Sequence, residues 1–143
     1  MRTERIGRVA LATAAALAGA ALLLRARPFR VAVEGHSMWP ELRSDDFLIA
    51  VGARASVIRR GSLVVLELPQ RPGFEVVKRV DGMPGEVRGK APLERHEYWV
   101  LGDNPSASTD SRSFGPVDLR AIRGVVRLRY WPPRRLRHWA TRG

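Results

Sequence analysis

The 143-residue chain contains no cysteine, which excludes a disulfide framework, a thiol nucleophile and every thiolate metal site. Lysine is nearly absent as well: of 25 Lys and Arg residues only Lys78 and Lys90 are lysine, the other 23 being arginine. There is no internal repeat, and beyond position 30 no segment carries the 3.6-residue period of an amphipathic helix. The length suits one domain on the usual scale of roughly 100–200 residues. A hydrophobic share of 45% argues for a packed core rather than a disordered chain. A net charge of +11 and a pI of 11.6 would suit an anionic partner, but the arginines are scattered over the whole length and mark no patch. Charge by itself assigns no partner, and nucleic acid is not an expected one.

From Val9 to Leu24 sixteen consecutive residues are uncharged, with Arg2, Arg5 and Arg8 before them and Arg25, Arg27 and Arg30 after. As a helix this run spans about 24 Å, or about 28 Å from Ile6 with Arg8 snorkelling, against a hydrocarbon core of roughly 30 Å. A single membrane anchor, a cleaved signal peptide and a buried core helix all fit the composition. Cationic brackets on both sides favour the anchor. Residues 1–28 are therefore expected to form an N-terminal anchor or signal-like helix.

After Pro28 the pattern changes to short apolar runs: 30–34, 47–51, 63–68, 74–80, 98–101 and 125–131 read as strands, separated by Gly, Pro, Asn and Asp. The expectation is a mostly β, small coiled domain over 29–131. Residues 132–143 read as a basic tail, most simply a solvated end, although Trp131 and Trp139 among arginines would also suit a membrane interface.

In a chain that so favours arginine, a retained lysine suggests chemistry that a permanently charged guanidinium cannot do. Alternation along 74–80 places Phe74, Val76, Lys78 and Val80 on one face. An ammonium buried among such neighbours is desolvated, its pKa falls from about 10.4, and a neutral amine at pH 7–8 is a competent general base. A base needs a nucleophile, and Gly35-His36-Ser37-Met38-Trp39-Pro40 follows a strand and enters a turn. There Ser37 can present its hydroxyl together with its own N–H, half of an oxyanion hole. A third segment, Gly102-Asp103-Asn104 through Ser108, Asp110 and Arg112, follows the short strand Tyr98–Leu101. In it Asp110 and Arg112 are spaced to pair, and Ser108 to meet a buried amine. A rival Ser/His/Asp triad can be assembled from Ser37, His96 and Asp103 or Asp110; His36, next to Ser37 on an extended chain, points away from it.

Taken in order, G-x-S-M-x-P, the Lys-Arg-Val strand, Y-W-V-L-G-D-N, D-S-R and F-G-P-V closely resemble type I signal peptidase, the membrane-anchored Ser/Lys serine endopeptidase, over about residues 33–123. The resemblance implies a coiled, barrel-like β domain behind a transmembrane helix, in the cell membrane with the catalytic domain on its extracytoplasmic face. It implies Ser37 as nucleophile and Lys78 as general base, with Ser108 orienting the amine and Asp110 and Arg112 as supporting ion pair. Gly102, Asp103 and Asn104 would shape the wall beside the base. Met38 would line a pocket for a small side chain, and a pre-protein or pro-protein would lie extended along the strand that runs through Val33 to Gly35. No metal or other cofactor is implied. Two positions depart from the pattern. Gly35 stands where many relatives carry a hydroxyl for the oxyanion, and Gly61-Ser62 stands where Gly-Asp is common. The short spacing from Lys78 to Gly102 and the closing R-Y-W-P are also similar to the proteases that remove the prosequence of nickel superoxide dismutase. From a different class, the chain would be a non-catalytic basic module that binds membranes or nucleic acid.

Overall fold

The computed structural model describes residues 2–139; side chains are described for all of these except 2–7, 9 and 22–25. Helix α1 (Arg2–Ala26) is followed by strands β1 (Phe29–Ala32), β2 (Phe47–Gly52), β3 (Leu63–Leu68), β4 (Arg71–Gly82), β5 (Val87–Arg88), β6 (Ala91–Pro92) and β7 (Glu97–Leu101). The short helix α2 (Ser111–Phe114), β8 (Val117–Asp118), β9 (Ile122–Trp131) and β10 (Arg137–His138) complete the chain. The six expected strands are all present. The main sheet runs β1-β2-β9-β3-β4-β7-β8, with β10 added beside β9, and every pairing is antiparallel.

Burial follows the alternation of the strands. On β3, Leu63 and Val65 enter one core with Val33, Met38, Leu42 and Val77, while Val64 and Leu66 enter a second with Val80, Tyr98 and Val100. A strand covered on both faces reads as an unbroken apolar run, which Leu63–Leu66 is.

The expected barrel-like closure is not observed. Among the described residues β1 and β8 end an open path, because a cleft of about 280 Å³ separates β1 from the outer half of β4. Strand β4 also begins earlier than expected: it runs through Pro72 and Gly73, read from sequence as a break. Pro72 is tolerated on an edge that has no neighbour there, and Gly73 takes φ +80 while its N–H reaches Glu67 Oε1 at 3.0 Å.

At the N-terminus the expected helix forms as α1. Tested over the described residues, no helix is long and apolar enough to cross a membrane; positions 2–7, 9 and 22–25 of the expected anchor lie outside the described side chains. Those described between Ala10 and Ala21 are all exposed, Leu11 at 74%. The expected solvated tail instead folds back. Residues 137–138 pair with β9, and Trp139, expected at an interface, packs partly buried against the first core. Residues 140–143 of that tail lie outside the described residues.

Candidate active site

Ser37 sits at the start of the turn that follows β1, and Met38 behind it is buried in the first core. The turn is fixed from inside by Gly35, at φ +81, whose N–H donates to Ser44 Oγ at 3.0 Å while the Ser44 hydroxyl donates back to its carbonyl at 3.2 Å. It is fixed from outside by Asn104, whose backbone N–H donates to the Ser37 carbonyl at 3.0 Å and whose side-chain amide donates to the His36 carbonyl at 3.1 Å. Among the described residues the Ser37 N–H has no hydrogen-bond partner.

Lys78 lies on β4 directly opposite Val64, between Val76 and Val80, and is 2% exposed. Of the face expected from alternation only Phe74 departs. It lies on the rim of the cleft with the Arg71 guanidinium 4.4 Å above its ring. Among the described residues no hydrogen bond or ion pair reaches the Lys78 amine. Burial pushes its pKa down, and the negative charge of Asp110 pulls part of the way back.

The register Val80↔Val100, Arg79↔Leu101 sets Gly102 beside Lys78 one step further along the ladder. A Cβ at Gly102 would collide with the Ser108 side chain and stand 2.6 Å from the Ser37 carbonyl oxygen. The Ser37 turn, the Lys78 strand and Ser108 thus close on one glycine. Gly102→Ala is expected to cost about 1–3 kcal/mol of stability, measured by thermal melting. An unchanged melting temperature would show that the three segments are not in contact there.

Asp110, wholly buried, caps α2 and gathers the rest. It accepts from the Gly102 N–H (2.9 Å), the Ser108 hydroxyl (2.8 Å), the Arg112 N–H (3.2 Å), and Arg112 Nε (2.9 Å) and Nη2 (2.7 Å). Burial alone would raise its pKa, but the Arg112 guanidinium and the other donors outweigh it and hold the carboxyl well below the usual carboxylate range. Asp103 is engaged elsewhere: Arg79, on the far face of β4 from Lys78, grips it through Nε at 2.7 Å and Nη2 at 2.6 Å and also donates to the Gly61 carbonyl at 2.9 Å. Arg79 was not singled out from sequence, though its place beside Lys78 was the available signal.

The rival triad is not assembled. His96 precedes β7 at the end where Glu97 pairs with Asp118, and its carbonyl accepts the Leu119 N–H at 2.8 Å. Six residues of extended chain separate it from Gly102, about 20 Å. Lys90 lies between β5 and β6, which form a two-stranded sheet of their own.

The cleft ends at Ser37 and Gly35 and has Met38 and Val65 in its lining. Val33, expected to bind substrate, contributes only its side chain. Its N–H donates to the Asp46 carbonyl at 2.9 Å and its carbonyl accepts from Asp45 at 3.0 Å, so alternation turns the main chain of Ala32 and Glu34 to the cleft. Across the cleft, Val80 bonds toward Gly61 and Ser62, which by the same alternation turns Glu75 and Val77 outward. The Phe74–Val77 wall was not anticipated from sequence.

The sequence matches the family described as "Signal peptidase, peptidase S26" over residues 5–87 and 86–131. The chain belongs to the signal peptidase family. It is 38% identical to mitochondrial inner membrane protease subunit 1 of Xenopus tropicalis, over 71% of this chain and 68% of the relative. It is 36% identical to the mitochondrial ATP-independent inner membrane protease subunit 1a of Arabidopsis thaliana, over 71% and 69%. With signal peptidase I of Bacillus caldolyticus it shares 31% identity over 70% and 78%. The chain is a signal peptidase I-like protease, a membrane-associated hydrolase acting on protein substrates.

Proposed function

We propose that this signal peptidase I-like protease cleaves peptide bonds with a Ser37/Lys78 dyad and binds its substrate as an added β-strand. The observation that carries the reading is Lys78: the residue is 2% exposed, its amine has no polar partner among the described residues, and it is set beside the glycine on which Ser108 and the Ser37 turn close. A neutral Lys78 takes the Ser37 proton as the serine oxygen attacks the substrate carbonyl, and the unpartnered Ser37 N–H donates to the oxyanion. The amine nitrogen then leaves with the proton from Lys78, and water hydrolyses the acyl-enzyme by the same relay. Ser108, held by Asp110, orients the amine.

The substrate lies between the two open strand edges, Ala32 and Glu34 on one side and Glu75 and Val77 on the other, in β-augmentation. Val33, Met38 and Val65 leave room for small side chains before the cut. The exposed apolar side chains of α1 support a single-pass anchor that holds this catalytic domain against the membrane on its extracytoplasmic face. Removal of a nickel superoxide dismutase prosequence would use the same atoms on a different substrate.

The test is cleavage of a pre-protein with alanine before the scissile bond by the detergent-purified chain, the new N-terminus being read by mass spectrometry. Ser37→Ala is expected to give no product, and His96→Ala to stay within two-fold of the parent. Cleavage that survives Ser37→Ala, or that is lost in His96→Ala, would contradict the dyad. Binding to anionic polymers with no cleavage by the parent would favour the non-catalytic module.

A further inference from the structure

Residues 33–46 form a closed turn around Ser37. Its base is joined by the Val33 N–H to the Asp46 carbonyl (2.9 Å) and the Asp45 N–H to the Val33 carbonyl (3.0 Å), and its waist by Ser44 on Gly35. Two points on its outer side are gripped by the C-terminal segment. The Glu41 carbonyl accepts from Arg135 Nη2 at 3.1 Å and from Arg129 Nη1 at 2.6 Å. The Asp46 carboxylate, 1% exposed, accepts from Arg135 Nη1 at 2.9 and 3.1 Å and pairs with Arg129 at 3.4 Å.

The Arg135 guanidinium therefore bridges two points five residues apart on the turn that bears Ser37, and Arg129 Nη1, from β9, reaches the same two. Arg135 arrives from 94 residues further along the chain. The segment that carries it is itself tied down. Arg129 Nε donates to the Arg135 carbonyl at 2.6 Å, the Trp139 N–H donates to the Arg127 carbonyl at 2.7 Å, and the Arg129 and Arg137 guanidiniums stand 5.8 and 5.5 Å from the Trp139 ring. Trp139 packs on the core that contains Met38 and Leu42 of the same turn.

A solvated tail would keep its arginines in water. Taking Asp46 and two guanidiniums out of it costs desolvation that their attraction only partly offsets, so such a group serves registry better than net stability. A planar fork can hold a carboxylate and a carbonyl at once, whereas an ammonium is a point charge. We propose that Arg135 is a positioning residue, and that the segment 132–139 is a strap that holds the Ser37 turn in its attacking geometry. The inference rests on Ser37 being the nucleophile, and it adds a dependence of the chemical step on residues that touch neither substrate nor dyad.

Cleavage kinetics of the full detergent-purified chain with the alanine-containing peptide test this. Misplacing a reacting atom by about 1 Å costs on the order of 100-fold. Arg135→Gln is accordingly expected to lower kcat about 10- to 100-fold with KM within about two-fold and the folded fraction by circular dichroism unchanged. Arg135→Lys should recover only part of the loss, and Arg134→Ala, at an exposed neighbour, should leave kcat at the parent level. An Arg135→Gln kcat within two-fold of the parent overturns the strap, and so does a loss that merely tracks the folded fraction. If Ser37→Ala is inactive while Arg135→Gln is fully active, the strap alone fails. If Ser37→Ala cleaves normally, the nucleophile assignment fails and the strap with it.

Discussion

Lys78→Met is expected to abolish cleavage, lowering kcat/KM by about 10⁴-fold or more, while raising the melting temperature at neutral pH. The side chains are close in length and shape, so packing against Val64, Val76 and Val80 is retained and only the amine is lost. The gain in stability follows from the direction of the pKa shift. Burial lowers the Lys78 pKa from 10.5, with Asp110 pulling the other way. Below 10.5 the unfolded chain therefore holds a proton more firmly than the folded one does, and Lys78 costs stability. That cost is full below the folded pKa, shrinks as pH rises through it and is gone above 10.5. Melting the parent and Lys78→Met across pH should give curves that differ most at low pH and converge in alkali. A variant that is inactive and also less stable throughout would mean that Lys78 carries its charge in a satisfied ion pair instead. Function and stability oppose each other at this position, as expected of an active-site group.

Asp110→Ala is expected to be among the most destabilising single changes, costing about 2–4 kcal/mol in denaturant unfolding. The Arg112 side chain is 45% exposed and regains water when its partner is removed, so the ion pair itself contributes little to that figure. The cost comes from the lost α2 cap and from the buried Gly102 N–H left without an acceptor. Asp110→Asn keeps an acceptor oxygen and should lose less. It carries a second signature. The Asp110 carboxylate raises the Lys78 pKa, so neutralising it should move the acid limb of the pH–rate profile to lower pH. An unmoved limb would separate Lys78 from the rate-controlling ionisation. Acid stability carries the opposite sign to that of Lys78. Because the folded Asp110 pKa is held well below 3.8, its contribution is present above that pH and is lost as pH falls further. Asp110→Asn removes this dependence.

Much of the fold and of the candidate site is legible in the sequence where the signal is local. Leu63–Leu68 announces a strand buried on both faces by being apolar at every position but one, and Lys78 stands out because arginine has replaced nearly every other lysine. The motif around Asp110 places a carboxylate two residues from both Ser108 and Arg112, and it bonds both. What could not be read depends on distant partners. Residues 132–139 look like any basic tail until Asp46, 89 residues earlier than Arg135, is known to be buried and facing them. The backbone of Val33 is engaged by Asp45 and Asp46 through a turn whose path no periodicity specifies. Pro72-Gly73 breaks most strands, and continues this one only because the flanking edge is open. The sheet stays open for the same reason that there is a cleft, and alternation alone does not tell a closed barrel from one with a missing neighbour.

The central claim is that the Lys78 amine is neutral when the enzyme works. With only Lys78 and Lys90 in the chain, a sample labelled with 13C at lysine Cε gives two resonances, assigned by the loss of one in Lys90→Arg. Titrating the folded protein should show the Lys78 signal changing protonation below 10.5, in step with the acid limb of the cleavage rate. A Lys78 signal that titrates at or above 10.5, while cleavage proceeds at pH 7–8, would contradict the dyad.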